Sequence, residues 1–138
     1  MEENKRTTEL EKADADVIAK AAVAVLIEKK ALDVRLFDVQ GVTTMTDYYV
    51  NATGRSSTQV AALADEVVYQ LGLKGRRELR VEGRGGNSWL LVDYGSVIVN
   101  IFDREARDYY NFDRLLPCEK ECDISDIVKA IDEKYSVN

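Results

Sequence analysis

No histidine occurs anywhere in the 138 residues. That absence removes Ser-His and Cys-His nucleophile pairs, His-ligated metals and imidazole acid–base catalysis. Proline occurs once, at Pro117, and tryptophan once, at Trp89. Cys118 and Cys122 are the only cysteines. Their spacing suits one face of a helix, and two thiolates alone leave a zinc site incomplete, so free thiols are expected. No apolar run approaches the roughly 20 residues of a membrane span. The start, Met1-Glu2-Glu3-Asn4, is acidic and polar rather than a secretory signal. A cytoplasmic location with no membrane partner is the expectation.

Positive charge is also in short supply, with 19 Lys and Arg against 25 Asp and Glu and a net charge of −6. Strong nucleic-acid binding needs a Lys/Arg surface and is not expected, whereas a basic protein partner would be steered toward such a chain. Arg76, Arg77, Arg80 and Arg84 form the one basic cluster, read as a solvated loop and strand edge. Hydrophobic residues make up 46% and charged residues 32%, the balance of an ordinary globular chain. Its length fits one domain with its own core.

Periodicity sets out the elements. Val17 to Ile27 is apolar except at Lys20, with Asp14 and Asp16 in front, which predicts a helix from about Asp14 to Lys30. Strands follow over Val34–Val39 and Tyr48–Thr53, joined by a loop from Val42 to Asp47. Gly54 breaks the second strand, and Ser56 with Gln59 forms a capping-box pattern. Val60, Leu63, Ala64, Val67, Val68 and Leu71 then recur at helical spacing, with Gly72 placed as the C-terminal cap. Leu79 and Val81 mark a short strand before the Gly83-Arg84-Gly85-Gly86 loop. A hairpin over Trp89–Phe102 leads to a helix from Arg104 to Leu115, capped by Asp103 and ended before Pro117. Ile124, Ile127, Val128 and Ile131 put an amphipathic helix in the tail, between Asp123 and Lys134. This order predicts an α/β fold, a single domain with a mixed sheet flanked by helices. Residues 1–12 are read as a flexible lead-in, 13–117 as the domain and 118–138 as the tail.

The hairpin carries the sharpest functional signal. With Tyr94 and Gly95 as turn residues, Asp93 pairs with Ser96, Leu91 with Ile98 and Trp89 with Asn100. One face is then Leu90, Val92, Val97, Val99 and Ile101, aliphatic throughout. The other is Trp89, Leu91, Asp93, Ser96, Ile98, Asn100 and Phe102, a mixture that makes a poor core and a plausible binding surface. Tyr48, Tyr49, Tyr94, Tyr109 and Tyr110 gather near it and add aromatic anchors of the kind found at protein interfaces.

Catalytic signals are thin. Thr53-Gly54-Arg55-Ser56-Ser57 opens a helix after a strand and could hold an anion. It is similar to the Gly-Ser of nucleotidyltransferases, but those enzymes need paired carboxylates for two metal ions, and no Asp-x-Asp lies on the following strands. A turn glycine and a helix cap are the simpler reading. The Gly83–Gly86 loop precedes a strand where a phosphate loop precedes a helix. Ser56 and Ser57 lack a base, and Glu105, Arg107 and Asp108 read as solvated helix charges. No catalytic residue, cofactor or metal is expected. A metal-dependent nucleotidyltransferase or nucleotide-binding protein using Gly54, Ser56 and Asp93 is the alternative, and a homodimer pairing its mixed faces is a third reading.

In order and spacing, several pieces resemble the ribosomal silencing factor family, also called Iojap-like. They are Thr46-Asp47-Tyr48-Tyr49-Val50, Thr53-Gly54-Arg55-Ser56, Gln59-Val60-Ala61 with Ala64-Asp65, and Trp89 to Gly95 through Val97 to Phe102, followed by Glu105, Arg107, Tyr109 and Tyr110. The likeness runs from about Asp14 to Leu116. It implies a nucleotidyltransferase-like α/β domain that is not an enzyme. It also implies binding to the large ribosomal subunit through a protein on its small-subunit-facing side, blocking subunit joining and repressing translation when nutrients are scarce. The family's contacts imply partner-binding roles for Trp89, Leu91, Asp93, Tyr94 and Phe102, with Tyr48 nearby. Ile98 and Asn100 share that face and complete the expected set. The family commonly has histidine where Asn100 stands and tryptophan where Leu116 stands. Asn100 still donates and accepts hydrogen bonds but carries no charge.

Overall fold

A computed structural model describes residues 5–135, so the first four residues of the expected lead-in and the last three of the tail lie outside the described residues. The chain runs α1 (Ala15–Glu28), β1 (Leu32–Asp38), β2 (Tyr48–Thr53), α2 (Ser57–Leu73), β3 (Arg80–Glu82), β4 (Trp89–Asp93), β5 (Val97–Phe102), α3 (Arg104–Tyr110), β6 (Glu121–Cys122) and α4 (Ser125–Tyr135). The strands form one mixed six-stranded sheet in the order β3-β4-β5-β2-β1-β6. Among the described residues only β2 and β5 pair in parallel; both lie at the centre of the sheet, and every residue of β5 is buried. The single α/β domain with a mixed sheet flanked by helices is thus observed.

α1 and α2 cover one sheet face. Their buried residues, Ile18, Ala22, Val23 and Leu26 from α1 and Val60, Leu63, Val67 and Leu71 from α2, meet Leu36, Val50, Ala52, Leu90, Val92, Val97, Val99 and Ile101. The aliphatic face of the hairpin is therefore core, as its alternation requires. The opposite face holds a smaller cluster of Phe37, Val39, Tyr49 and Ile98 under Leu91, Phe112 and Leu116.

The hairpin turns one residue later than predicted. Tyr94 N–H donates to the Val97 carbonyl at 2.8 Å, which leaves Gly95 and Ser96 as the turn residues. Gly95 has φ +85°, a conformation that glycine adopts without strain. Asp93 then pairs with Ile98, Leu91 with Asn100 and Trp89 with Phe102. Each partner has moved two positions along β5, and a shift of two keeps every side chain on its face.

Helix ends follow local chemistry, with two corrections. Ser56 Oγ accepts from Gln59 N–H at 3.1 Å, while Gln59 Oε1 reaches back to Arg55 N–H at 2.5 Å. α2 passes through Gly72 and ends at Leu73. Gly75, at φ +94°, supplies the left-handed residue instead, with its N–H on the Gly72 carbonyl and Arg76 N–H on the Leu71 carbonyl. α3 starts as predicted, with Asp103 Oδ1 accepting from Ala106 N–H at 2.8 Å. It stops at Tyr110 rather than Leu115, because Asn111 adopts a left-handed conformation and redirects the chain into a 3-10 turn over Phe112–Leu115.

Both ends of the domain are more integrated than expected. Thr7 and Leu10 donate backbone N–H groups to the carbonyls of Leu73 and Lys74, and Leu10 is buried in the main core. After Pro117 the chain adds β6 to the free edge of β1, and Cys122, Ile124 and Ile127 pack on the main core, with α4 lying against α1. Cys118 and Cys122 are free thiols but do not share a helix, since one lies in a 3-10 turn and the other in β6.

Candidate functional site

Five side chains form a continuous chain of hydrogen bonds beneath the mixed face, buried at its two central amides and half-buried at Trp89 and Asp113. Trp89 Nε1 donates to Asn100 Oδ1 at 3.0 Å, and Asn100 Nδ2 donates to Asn51 Oδ1 at 3.0 Å. Asn51 Nδ2 donates in turn to Asp113 Oδ1 at 2.6 Å, and Arg107 Nε donates to Asp113 Oδ2 at 2.8 Å. Arg107 is further held by Thr53 Oγ1 at 2.7 Å and by the Asp33 backbone carbonyl at 3.2 Å. Asn51 and Asn100 meet because they are register partners across the parallel β2–β5 pair. Asp33 reaches Arg107 because it sits in a bulge of β1 with φ +46°. Polar groups this deep need partners, and these have them.

Arg107 is therefore not a solvated helix charge: only 8% of it is exposed, and its guanidinium also lies 5.7 Å from the centre of the Phe102 ring. A buried cation alone would be costly, and the Asp113 carboxylate offsets that cost. Asn51 and Asp113 were not singled out from the sequence. The available signal was Asn51 itself, an amide in the middle of an otherwise apolar or hydroxyl-bearing strand and directly level with Asn100.

The structure divides the eight expected partner-binding residues into three groups. Trp89, Leu91 and Asp93 are half-buried on the mixed face. Trp89 stacks within 4.9 Å of the Phe102 ring and 4.8 Å of Tyr110. Asp93 accepts from Gly95 N–H at 2.7 Å and pairs with Arg80 at 3.2 Å, so its carboxylate also braces the turn. Ile98, Asn100 and Phe102 are on the same face but at most 5% exposed, because the β5 positions lie under Trp89, Phe112 and their neighbours. They support the face from beneath.

Tyr48 and Tyr94 point the other way. Tyr48 pairs with Val97 and packs on the main core. Burial, then the charges of Asp38 and Asp16, push its phenol up. Tyr94 continues the alternation of Leu90 and Val92 and is 4% exposed in that core, its phenol strongly raised by burial. Tyr49 occupies the mixed side instead, edge-on to Phe112 at 5.0 Å. Tyr110 and the 82%-exposed Tyr109, 5.0 Å apart, extend the aromatic surface outward from Trp89 along α3.

Next to this surface lies a groove of about 570 Å³ between β1, α3 and the segment after it. Two arginines that line it, Arg35 and Arg107, are both engaged by carboxylates, including Asp33 and Asp113. Among the described residues, no three His, Cys, Asp or Glu side chains gather as a metal-ion site. No helix among them is long and apolar enough to cross a membrane. Gly54 is required by packing, since a Cβ there would lie 2.9 Å from Val60 Cγ2 and 3.0 Å from its backbone nitrogen.

Fold and site together define a single-domain α/β protein with an aromatic surface braced by a buried polar chain. A family model described as "Ribosomal silencing factor during starvation" matches residues 12–137, which includes α4. A ribosomal silencing factor of Bacillus subtilis is 36% identical over 98 residues, 71% of this chain and 83% of that protein. A solved structure from Chromobacterium violaceum superposes with a TM-score of 0.73 at 33% identity, covering 75% of this chain and 87% of that one. A mouse protein named "Mitochondrial assembly of ribosomal large subunit protein 1" is 29% identical, over 75% of this chain and 45% of that protein. The chain belongs to the ribosomal silencing factor family.

Proposed function

We propose that this protein is a non-enzymatic translation repressor that binds a protein on the small-subunit-facing side of the large ribosomal subunit and sterically blocks joining of the small subunit. The observation that carries the reading is the aromatic surface of Trp89, Tyr110 and Tyr109, flanked by Leu91 and Asp93 on a part of the sheet that α1 and α2 do not cover. Family membership supplies the ribosomal setting. Aromatic side chains partly buried in their own domain lose little conformational freedom on docking, which favours them as anchors. The net charge of −6 steers the domain toward a basic protein rather than toward exposed RNA phosphates. The protein acts in the cytoplasm, without cofactor or metal.

Ile98, Asn100 and Phe102 hold this surface in shape. Tyr48, half-buried on the opposite face, and Tyr94, in the core beneath that face, take no part in the contact.

Co-sedimentation of purified protein with large ribosomal subunits tests the reading. Trp89→Ala removes the central anchor and costs about 2 kcal/mol or more of binding, roughly thirtyfold in affinity. Unchanged binding of a folded Trp89→Ala protein would rule this face out.

A further inference from the structure

We propose that Asp113 is a positioning residue for Trp89, acting through Asn51 and Asn100, so that a carboxylate on the 3-10 turn sets the angle of the docking tryptophan. The proposal rests on the reading that the Trp89 face contacts the large subunit.

The argument comes from the ends of the hydrogen-bond chain. An indole N–H only donates, and an ionised carboxylate only accepts. Between them stand two amides, each with one accepting and one donating end. Only one arrangement satisfies all contacts: Asn100 turns its oxygen to Trp89 and its nitrogen to Asn51, which does the same toward Asp113. Flipping either amide sets oxygen against oxygen or donor against donor in a place where water cannot compensate. Asp113 fixes the direction, and Arg107, clamped by Thr53 and Asp33, fixes Asp113.

Trp89 has freedom for this bond to remove. Its ring is half-buried, in tilted contact with Phe102 and Tyr110 at interplanar angles of 32° and 51°. Tilted ring contacts are broad minima, whereas the bond from Nε1 to Asn100 selects one setting. The exposed edge of the indole, and the Tyr110 ring beside it, are then presented to a partner already oriented.

The test is Asp113→Asn. With an amide at 113 either of its ends can face Asn51, and the chain can run in reverse until it meets the Trp89 N–H donor to donor. Trp89 is the only tryptophan, so fluorescence reports on this ring alone. The expected result is a shift of emission to longer wavelength with unchanged far-ultraviolet circular dichroism. Affinity for large subunits should also fall by about three- to tenfold, an effect that vanishes when the same change is made in a Trp89→Phe background, which has no N–H to position. Unchanged emission, or an equal loss of affinity in both backgrounds, would overturn the proposal by making Asp113 merely structural. If Trp89→Phe and Trp89→Ala both bind like the wild type, the docking reading falls instead, and emission alone decides whether Asp113 orients the ring.

Discussion

Asn100 donates its side-chain N–H to Asn51 at 3.0 Å, directly across the parallel pairing of the two central strands. Both amides are buried, at 1% and 0% exposure, among aromatic rings and aliphatic strands. Such a pair is tolerable only because each remaining amide end is also used, by Trp89 on one side and Asp113 on the other. Asn51→Val, close in volume and favourable in a strand, therefore leaves the buried Asn100 N–H group without a partner and takes one donor from the half-buried Asp113. The stranded Asn100 group should cost about 1–3 kcal/mol. Urea unfolding should show a loss of that order, and a loss under about 0.5 kcal/mol, the range of surface changes, would contradict the buried chain.

Tyr94 makes the opposite case. Its hydroxyl is buried without a hydrogen-bond partner among the described residues, and the whole side chain lies in the aliphatic core. Removing an unsatisfied buried hydroxyl relieves a desolvation penalty. Tyr94→Phe should leave the unfolding midpoint unchanged or raise it, and should leave large-subunit binding unchanged. A clear fall in affinity would return Tyr94 to the docking surface.

The C-terminal helix is tied down by a titratable clamp. Glu28, the last residue of α1, accepts from the Tyr135 hydroxyl and pairs with Lys134 at 3.4 Å. The Tyr135 hydrogen bond lowers the Glu28 carboxyl below its ordinary value of 4.5, partial burial opposes this, and the Lys134 charge lowers it further. A carboxyl depressed on folding stabilises the fold above its ordinary value and loses that contribution as pH falls through its folded value. The melting temperatures of wild type and Glu28→Gln should therefore differ at neutral pH and converge below 4.5. A difference that persists into acid would show that the clamp does not depend on the carboxylate.

What was legible in the sequence was whatever depends on local pattern. The two hairpin faces were separated correctly even though the turn was misplaced, because parity survives a shift of two. The Ser56 and Asp103 caps were legible because a cap is a contact across three residues. Arg107 was not, since nothing between Glu105 and Asp108 distinguishes it from an exposed charge. Its burial depends on the bulge at Asp33 and on the left-handed turn at Asn111 that carries Asp113 beneath it. β6 is two residues long, too short for alternation to show, so the tail read as separate from a sheet it joins. Tyr48 and Tyr94 lie on the α1 and α2 side of the sheet because each shares the parity of a core position, Tyr48 with Val50 and Tyr94 with Val92, and nearness to a strand end does not reveal parity.

Partition between free and joined ribosomes distinguishes steric repression from simple ribosome association. Purified protein is mixed with large subunits, then with a rising excess of small subunits, and its position is followed through a sucrose gradient. A steric repressor on the joining face should travel with free large subunits, be absent from the joined peak and reduce that peak as its concentration rises. Protein that migrates with joined ribosomes, or that leaves the joined peak undiminished while bound to free large subunits, would rule out steric repression at the joining face.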